Sequence, residues 1–194
     1  MEEKKKVLIA LMGKSCSGKD TVMRKLREAG VARIVTNTTR PMRPGEKDGE
    51  EYYFKSEADY KKAYYEDRIL DSREYNTVHG LWRYWTEAFT LDAPYTVIVT
   101  TPESECLLDV YMFSLDNPKF IPVYLEVPED VRLQRALERE NRKPKPDYDE
   151  MYRRIEADNK DFSEKELSGI RNLVRIKNET EEDLDRFLKF IFEQ

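Results

Sequence analysis

One stretch limits the possible folds of this chain more than any other: Gly13-Lys14-Ser15-Cys16-Ser17-Gly18-Lys19-Asp20-Thr21. It follows the apolar run Val7 to Met12 and leads into a helical pattern carried by Val22, Leu26 and a terminal Gly30. The spacing is GxxxxGK. Glycine at both ends lets the chain double back so that successive backbone N–H groups point inward, and the following helix adds the positive end of its dipole. Phosphate oxygens are the matching occupants, with Lys19 bridging the β- and γ-phosphates of a nucleotide. A loop of this kind needs a buried strand before it and a helix after it.

Position 20 departs from the usual pattern, in which a Ser or Thr hydroxyl follows the lysine and binds magnesium. A bare carboxylate beside a triphosphate is repulsive, yet a divalent cation between them makes the arrangement attractive. Asp20 and Thr21 are therefore the candidate Mg2+ ligands. The other reading of Asp20 is a charge that stabilises the first helical turn. Cys16 occupies a free position of the loop, where a filler role outweighs a reactive thiolate.

Short apolar runs rich in β-branched residues recur along the chain: Val7 to Met12, Ala32 to Val35, Tyr95 to Thr101, Phe120 to Val127 and Leu173 to Ile176. Continuous apolar runs of this length predict buried parallel strands. Helical patterns alternate with them, clearest at the end, where Thr180 caps, Asp183 follows three later, and Leu184, Phe187, Leu188 and Ile191 share a face. Alternation of strand and helix predicts a doubly wound α/β sheet that binds ligands at the carboxyl ends of its strands. Two segments interrupt it. Residues 36–87 are rich in Arg, Tyr and turn formers, with one expected helix from Glu57 to Glu66 capped by Ser56. Residues 138–150 are almost wholly polar, with Pro144 and Pro146, and predict a mobile flap.

At 194 residues the chain suits a single domain. Charged residues make up 38% of it, but the net charge is only -5, so both signs are interspersed and no basic face for nucleic acid is expected. No apolar stretch approaches a membrane span, the start Met1 to Lys6 is too polar for a signal peptide, and Cys16 and Cys106 suggest neither a metal site nor a disulfide framework. A cytoplasmic protein, a monomer or homodimer without membrane partners, is the expectation.

The stretch from Thr36 to Phe54 contains Thr38-Thr39-Arg40, Arg43, Gly45-Glu46, Gly49, Tyr52 and Phe54. It resembles the nucleoside-monophosphate-binding segment of guanylate kinases, TTRxxRxGExxGxxYxF, at every fixed position. With the glycine loop, the polar flap and the late Asn178, the resemblance spans nearly the whole chain. It implies a P-loop NTPase-type three-layer α/β/α fold with a five-stranded parallel sheet, divided into a core (1–35, 88–137 and 151–194), a monophosphate-binding insert (36–87) and a lid (138–150). It also implies ATP with Mg2+ as donor and GMP or dGMP as acceptor. Gly13 to Thr21 and Asn178 would bind ATP, Asn178 lying against the adenine. Arg40, Arg43, Tyr52 and Tyr84 would bind the acceptor phosphate, and Thr36, Asp71 and Thr86 the base. Lys19 with Arg135, Arg139 and Arg154 would neutralise charge on the transferring group.

Physical chemistry supports these assignments independently. Guanidinium groups clamp phosphates bidentately, and a carboxylate can accept both N1–H and the exocyclic amine of guanine. The chain also departs from the family. Asp71 replaces a longer Glu, Trp85 replaces a glycine, and the strand ending Thr100-Thr101 lacks two usual aspartates, leaving Thr101 as the candidate base contact there. Asp20 is the candidate replacement for one lost acid, and no replacement for the other is evident. His79 reads as a turn residue. A deoxynucleoside monophosphate kinase of other base choice, and a non-catalytic binding module, are the competing readings.

Overall fold

The computed structural model describes residues 5–115 and 118–193, so Met1 to Lys4 of the polar start lie outside the described residues. The glycine loop joins β1 (Val7–Met12) to α1 (Lys19–Glu28), and β2 (Ala32–Ile34) follows. Next come β3 (Asn37–Thr38), β4 (Tyr53–Phe54), α2 (Glu57–Tyr65), β5 (Ile69–Thr77) and β6 (Gly80–Glu87). The chain continues through β7 (Tyr95–Val99), α3 (Pro102–Met112), β8 (Lys119–Glu126), α4 (Glu129–Asn141), α5 (Tyr148–Asp161), α6 (Glu164–Ser168), β9 (Val174–Lys177) and α7 (Glu181–Phe192).

The main sheet has five parallel strands in the order β2-β7-β1-β8-β9. All of β1 is buried, because alternate residues serve opposite layers. Val7, Ile9 and Leu11 pack with Val22 and Leu26 of α1 and with Leu184, Phe187 and Ile191 of α7. Leu8 and Ala10 pack with Leu108 and Met112 of α3 on the other side. Each fully buried leucine stabilises this arrangement by about 1.5–3 kcal/mol before entropy is counted. The expected three-layer α/β/α core with a five-stranded parallel sheet is therefore present, and the loops after β1, β7, β8 and β9 converge at one end of it.

Strand limits differ from the sequence expectation where local chemistry intervenes. β7 stops at Val99 because Thr101 becomes the N-cap of α3, with Pro102 in the first turn. The 36–87 segment contains more than the one expected helix. α2 is present, with Ser56 and Asp59 forming a capping box, but a four-stranded sheet of order β4-β3-β6-β5 accompanies it. Hydrophobic alternation does not reveal this sheet, since the half-buried positions of β5 include Asp71, Arg73 and Tyr75. Helices α4 and α5 extend into the polar stretch 138–150, leaving 142–147 as the connection.

Candidate active site

Two cavities share a boundary at the carboxyl end of the main sheet. The larger, about 770 Å³, is lined by Cys16, Gly18, Asp20, Thr21, Arg135, Arg139 and Asn178, together with Arg40 and Arg43. The smaller, about 220 Å³, is lined by Gly13, Thr36, Asp71, Thr86 and Thr101. Ser15, Lys19, Tyr52, Tyr84 and Arg154 line both. Lys14 and Ser17 line neither: Lys14 Nζ donates to Asn159 Oδ1 at 2.9 Å, and Ser17 is fully buried beneath the loop.

The loop is shaped by its glycines. Gly18 has φ 88, a left-handed conformation, and a Cβ there would meet Asn178 Nδ2 at 2.5 Å. Asn178 Nδ2 donates to Ser17 O at 2.7 Å, so the side chain braces the loop. Lys19 Nζ donates to Gly13 O at 2.6 Å and Lys14 O at 3.0 Å. Burial pushes the Lys19 ammonium below its ordinary value, opposed chiefly by the carboxylate of Asp158.

Asp158 is an acid that sequence reasoning passed over. It projects from α5, and its Oδ2 accepts the Ser15 backbone N–H at 2.6 Å. A carboxylate oxygen thus occupies an inward N–H of a phosphate-type loop. Three arginines surround the same loop: Arg132 Nη1 reaches Ser15 O at 3.3 Å, Arg135 Nη1 reaches Cys16 O at 3.4 Å, and Arg154 Nη2 reaches Ser15 Oγ at 3.4 Å.

Arg40 and Arg43 do not act as an equivalent pair. Arg40 is buried and donates from Nη1 and Nη2 to the Glu46 carboxylate at 3.0 and 2.8 Å, with Pro41 O as a further acceptor. Burial pushes the Glu46 carboxyl up, but the Arg40 hydrogen bonds and the Arg43 backbone N–H outweigh it and hold the group below its ordinary value. The Arg43 guanidinium makes no hydrogen bond or ion pair among the described residues. Burial first, then the neighbouring Arg154 and Arg40 charges, push it down to about 10. Glu46 is committed to Arg40, so the Arg43 guanidinium is left without a paired anion among the described residues. Tyr52 and Tyr84 flank it edge to face, their ring centroids 5.7 Å apart.

Asp71 lies on β5 in the smaller cavity, where burial raises its carboxyl while a hydrogen bond to Ser104 and the Arg73 charge oppose the rise. Thr101 Oγ1 lies 3.2 Å from Ser104 Oγ, and Trp85, almost wholly shielded from solvent, lines the same cavity. His79 does occupy the β5–β6 turn; its Nε2 also lies 2.8 Å from Asp147 Oδ2 in the 142–147 connection. Of the groups sequence reasoning missed, Glu46 was legible within the arginine motif. Asp158 was legible as the i+4 neighbour of Arg154 on a helix face.

The parallel sheet, the braced glycine loop and the facing cavities define a P-loop α/β protein of the nucleotide-binding class. The guanylate kinase family model matches residues 4–193. The chain belongs to the guanylate kinase family. It is 44% identical over 66 residues to guanylate kinase of Gloeobacter violaceus, covering 33% of this chain and 32% of the relative. It is 38% identical over 89 residues to that of Symbiobacterium thermophilum, covering 44% of this chain and 42% of the relative. These matches thus span less than half of either relative. A longer match, 26% identical over 163 residues, covers 82% of this chain and 78% of guanylate kinase of Wolbachia pipientis wMel. The crystal structure of guanylate kinase from Anaplasma phagocytophilum superimposes with a TM-score of 0.64 at 19% identity, covering 98% of this chain and 87% of that one, which bears on the fold alone.

Proposed function

We propose that the protein is an ATP-dependent nucleoside monophosphate kinase that phosphorylates GMP or dGMP. The observation that carries this reading is the meeting of the two cavities at Ser15, Lys19 and Arg154, with the uncompensated Arg43 guanidinium beside them. One cradle suits a triphosphate tail, and Arg43 with Tyr52 and Tyr84 suits a second phosphate. Arg40 acts through Glu46 to hold the loop that carries Arg43, with one face still on the larger cavity.

An acceptor phosphate is already anionic at neutral pH, so no general base is needed to activate it. Catalysis rests on alignment of the two nucleotides, on Lys19 and on the guanidinium charges of Arg135, Arg139 and Arg154 around the transferring group. The 138–150 stretch serves as a lid that excludes water. Asp71, Thr36, Thr86 and Thr101 hold the base, and Asn178, besides bracing the loop, borders the donor side.

Asp20 and Thr21 are exposed on the first turn of α1 and line the larger cavity. Among the described residues no group of three or more His, Cys, Asp or Glu could hold an ion alone. One carboxylate and one hydroxyl, completed by nucleotide phosphates, suit Mg2+. When bound, that ion would neutralise charge on the β- and γ-oxygens. Among the described residues no helix is long and apolar enough to cross a membrane; we place the enzyme in the cytoplasm with small nucleotides as its partners.

Steady-state rates with GMP, dGMP, dTMP and AMP, each with ATP and Mg2+, test the reading. Selective turnover of GMP or dGMP is expected. Preference for dTMP would favour the broader deoxynucleotide kinase, and absence of phosphoryl transfer to any of the four would refute the assignment.

A further inference from the structure

Arg73 lies two residues beyond Asp71 on β5, so strand alternation turns both side chains toward the smaller cavity. The Arg73 side chain is 15% exposed and is held on several sides. Its Nη1 donates to Thr101 Oγ1, and its Nη2 lies 3.1 Å from Asp161 Oδ1 and 3.2 Å from Glu103 Oε2. The guanidinium carbon is 5.6 Å from the centroid of the Tyr75 ring, and Tyr75 is itself tied to Asp161 by a 2.9 Å hydrogen bond.

A guanidinium carries five N–H donors in one plane. These partners engage the two Nη atoms, and Nε–H has no partner among the described residues. A cation pinned this way offers its spare donors to a ligand without losing much rotamer freedom on binding. The smaller cavity therefore presents a fixed acceptor, Asp71, and a fixed donor, Arg73, side by side. Guanine carries the complementary set: along one edge the exocyclic amine and N1–H donate and O6 accepts, and N7 accepts on the adjoining edge beyond O6. Adenine carries an amine where guanine carries O6, which would set donor against donor.

We infer that Arg73 is a specificity-determining residue that donates to the O6/N7 side of guanine while Asp71 accepts from N1–H and the amine. This assignment rests on the kinase reading above and adds the group that selects a keto base.

The test compares GMP with 6-thio-GMP, which keeps N1–H and the amine but replaces O6 by a weakly accepting sulfur. KM and kcat are measured for both acceptors at saturating ATP, in wild type, Arg73→Ala and Arg73→Lys. Wild type is expected to favour GMP by at least tenfold in kcat/KM. Arg73→Ala should raise KM for GMP about 10- to 100-fold, the scale of a lost charged hydrogen bond, and shrink the GMP preference to under twofold. Arg73→Lys, with a single donor point, should fall between. If the wild type treats the two acceptors alike, or if Arg73→Ala keeps the wild-type ratio while both KM values rise together, Arg73 is only a strut between β5, α3 and α5. Should Arg73→Ala not fold by circular dichroism, Arg73→Lys decides: a ratio cut at least threefold supports the role and an unchanged ratio overturns it. Loss of all monophosphate turnover in wild type is a separate result, which removes the kinase reading itself.

Discussion

Replacing Asp158 by Asn should tighten ATP binding. The Asp158 carboxylate accepts the Ser15 N–H at 2.6 Å and supports the Lys19 charge, so it occupies ground that a terminal phosphate would need. Two unit charges about 4 Å apart near a protein surface repel by about 4 kcal/mol, and by about 2 kcal/mol at 8 Å. ATP therefore has to displace Asp158 and then tolerate it nearby. Asn keeps the shape and one acceptor oxygen but carries no charge. Part of the gain is offset because Lys19 loses its strongest favourable neighbour. A net improvement of about 1–2 kcal/mol remains, or roughly 5- to 30-fold in Kd. Calorimetric titration with ATP and with ADP in Mg2+ measures it. ADP lacks the terminal phosphate, so its affinity should change less than threefold. An Asp158→Asn protein that binds ATP no better than wild type would show that the carboxylate shapes the loop instead of competing with its ligand.

Four further outcomes follow from the geometry. Arg43→Ala should raise KM for GMP about 10- to 100-fold, by loss of charge-assisted hydrogen bonds. Its melting temperature should hold or rise, because Arg43 is a half-buried cation whose guanidinium has no ion-pair partner among the described residues; a clear drop would refute that. Gly18→Ala, at φ 88 and in the path of Asn178, should cost at least about 1–2 kcal/mol in denaturant unfolding and abolish measurable ATP binding. Ser56→Ala removes half of the α2 capping box and should cost about 0.5–2 kcal/mol in urea, with ATP affinity unchanged. Glu46 has its carboxyl held below the unfolded value, so its stabilisation is present above that value and is lost as pH falls through the folded one. Glu46→Gln should therefore be less stable at neutral pH, and should flatten the acid side of the melting-temperature profile.

The core was legible because the three inner strands β7, β1 and β8 are mostly apolar, buried runs, and the glycine loop states its own context; the edge strands β2 and β9 carry charged residues and are only partly buried. The arginine motif was legible as residue types, but its division of labour was not. Which guanidinium is spent on Glu46 and which stays free depends on a fold-back between residues 40 and 46 that no periodicity encodes. The second sheet escaped for a related reason: its inward positions carry polar groups reserved for the cavity, so the usual alternation of apolar and polar residues is absent. Arg73 escaped with it, since its relation to Asp71 exists only once β5 is known to be a strand. Asp158 was visible as a helix neighbour of Arg154, but its reach to Ser15 comes from the way α5 packs back over the sheet.

Lys19 is tethered to carbonyls on its own loop, and Asn178 holds the loop from behind. On the proposed kinase reading the receptacle for the donor tail is thus assembled in advance, and little chain disorder remains to be removed there when a nucleotide arrives. Adjustment must instead come from α5, whose acid has to withdraw. Temperature and viscosity should therefore act on donor association through release of the Asp158 side chain from Ser15, while the cradle behaves as a rigid mould.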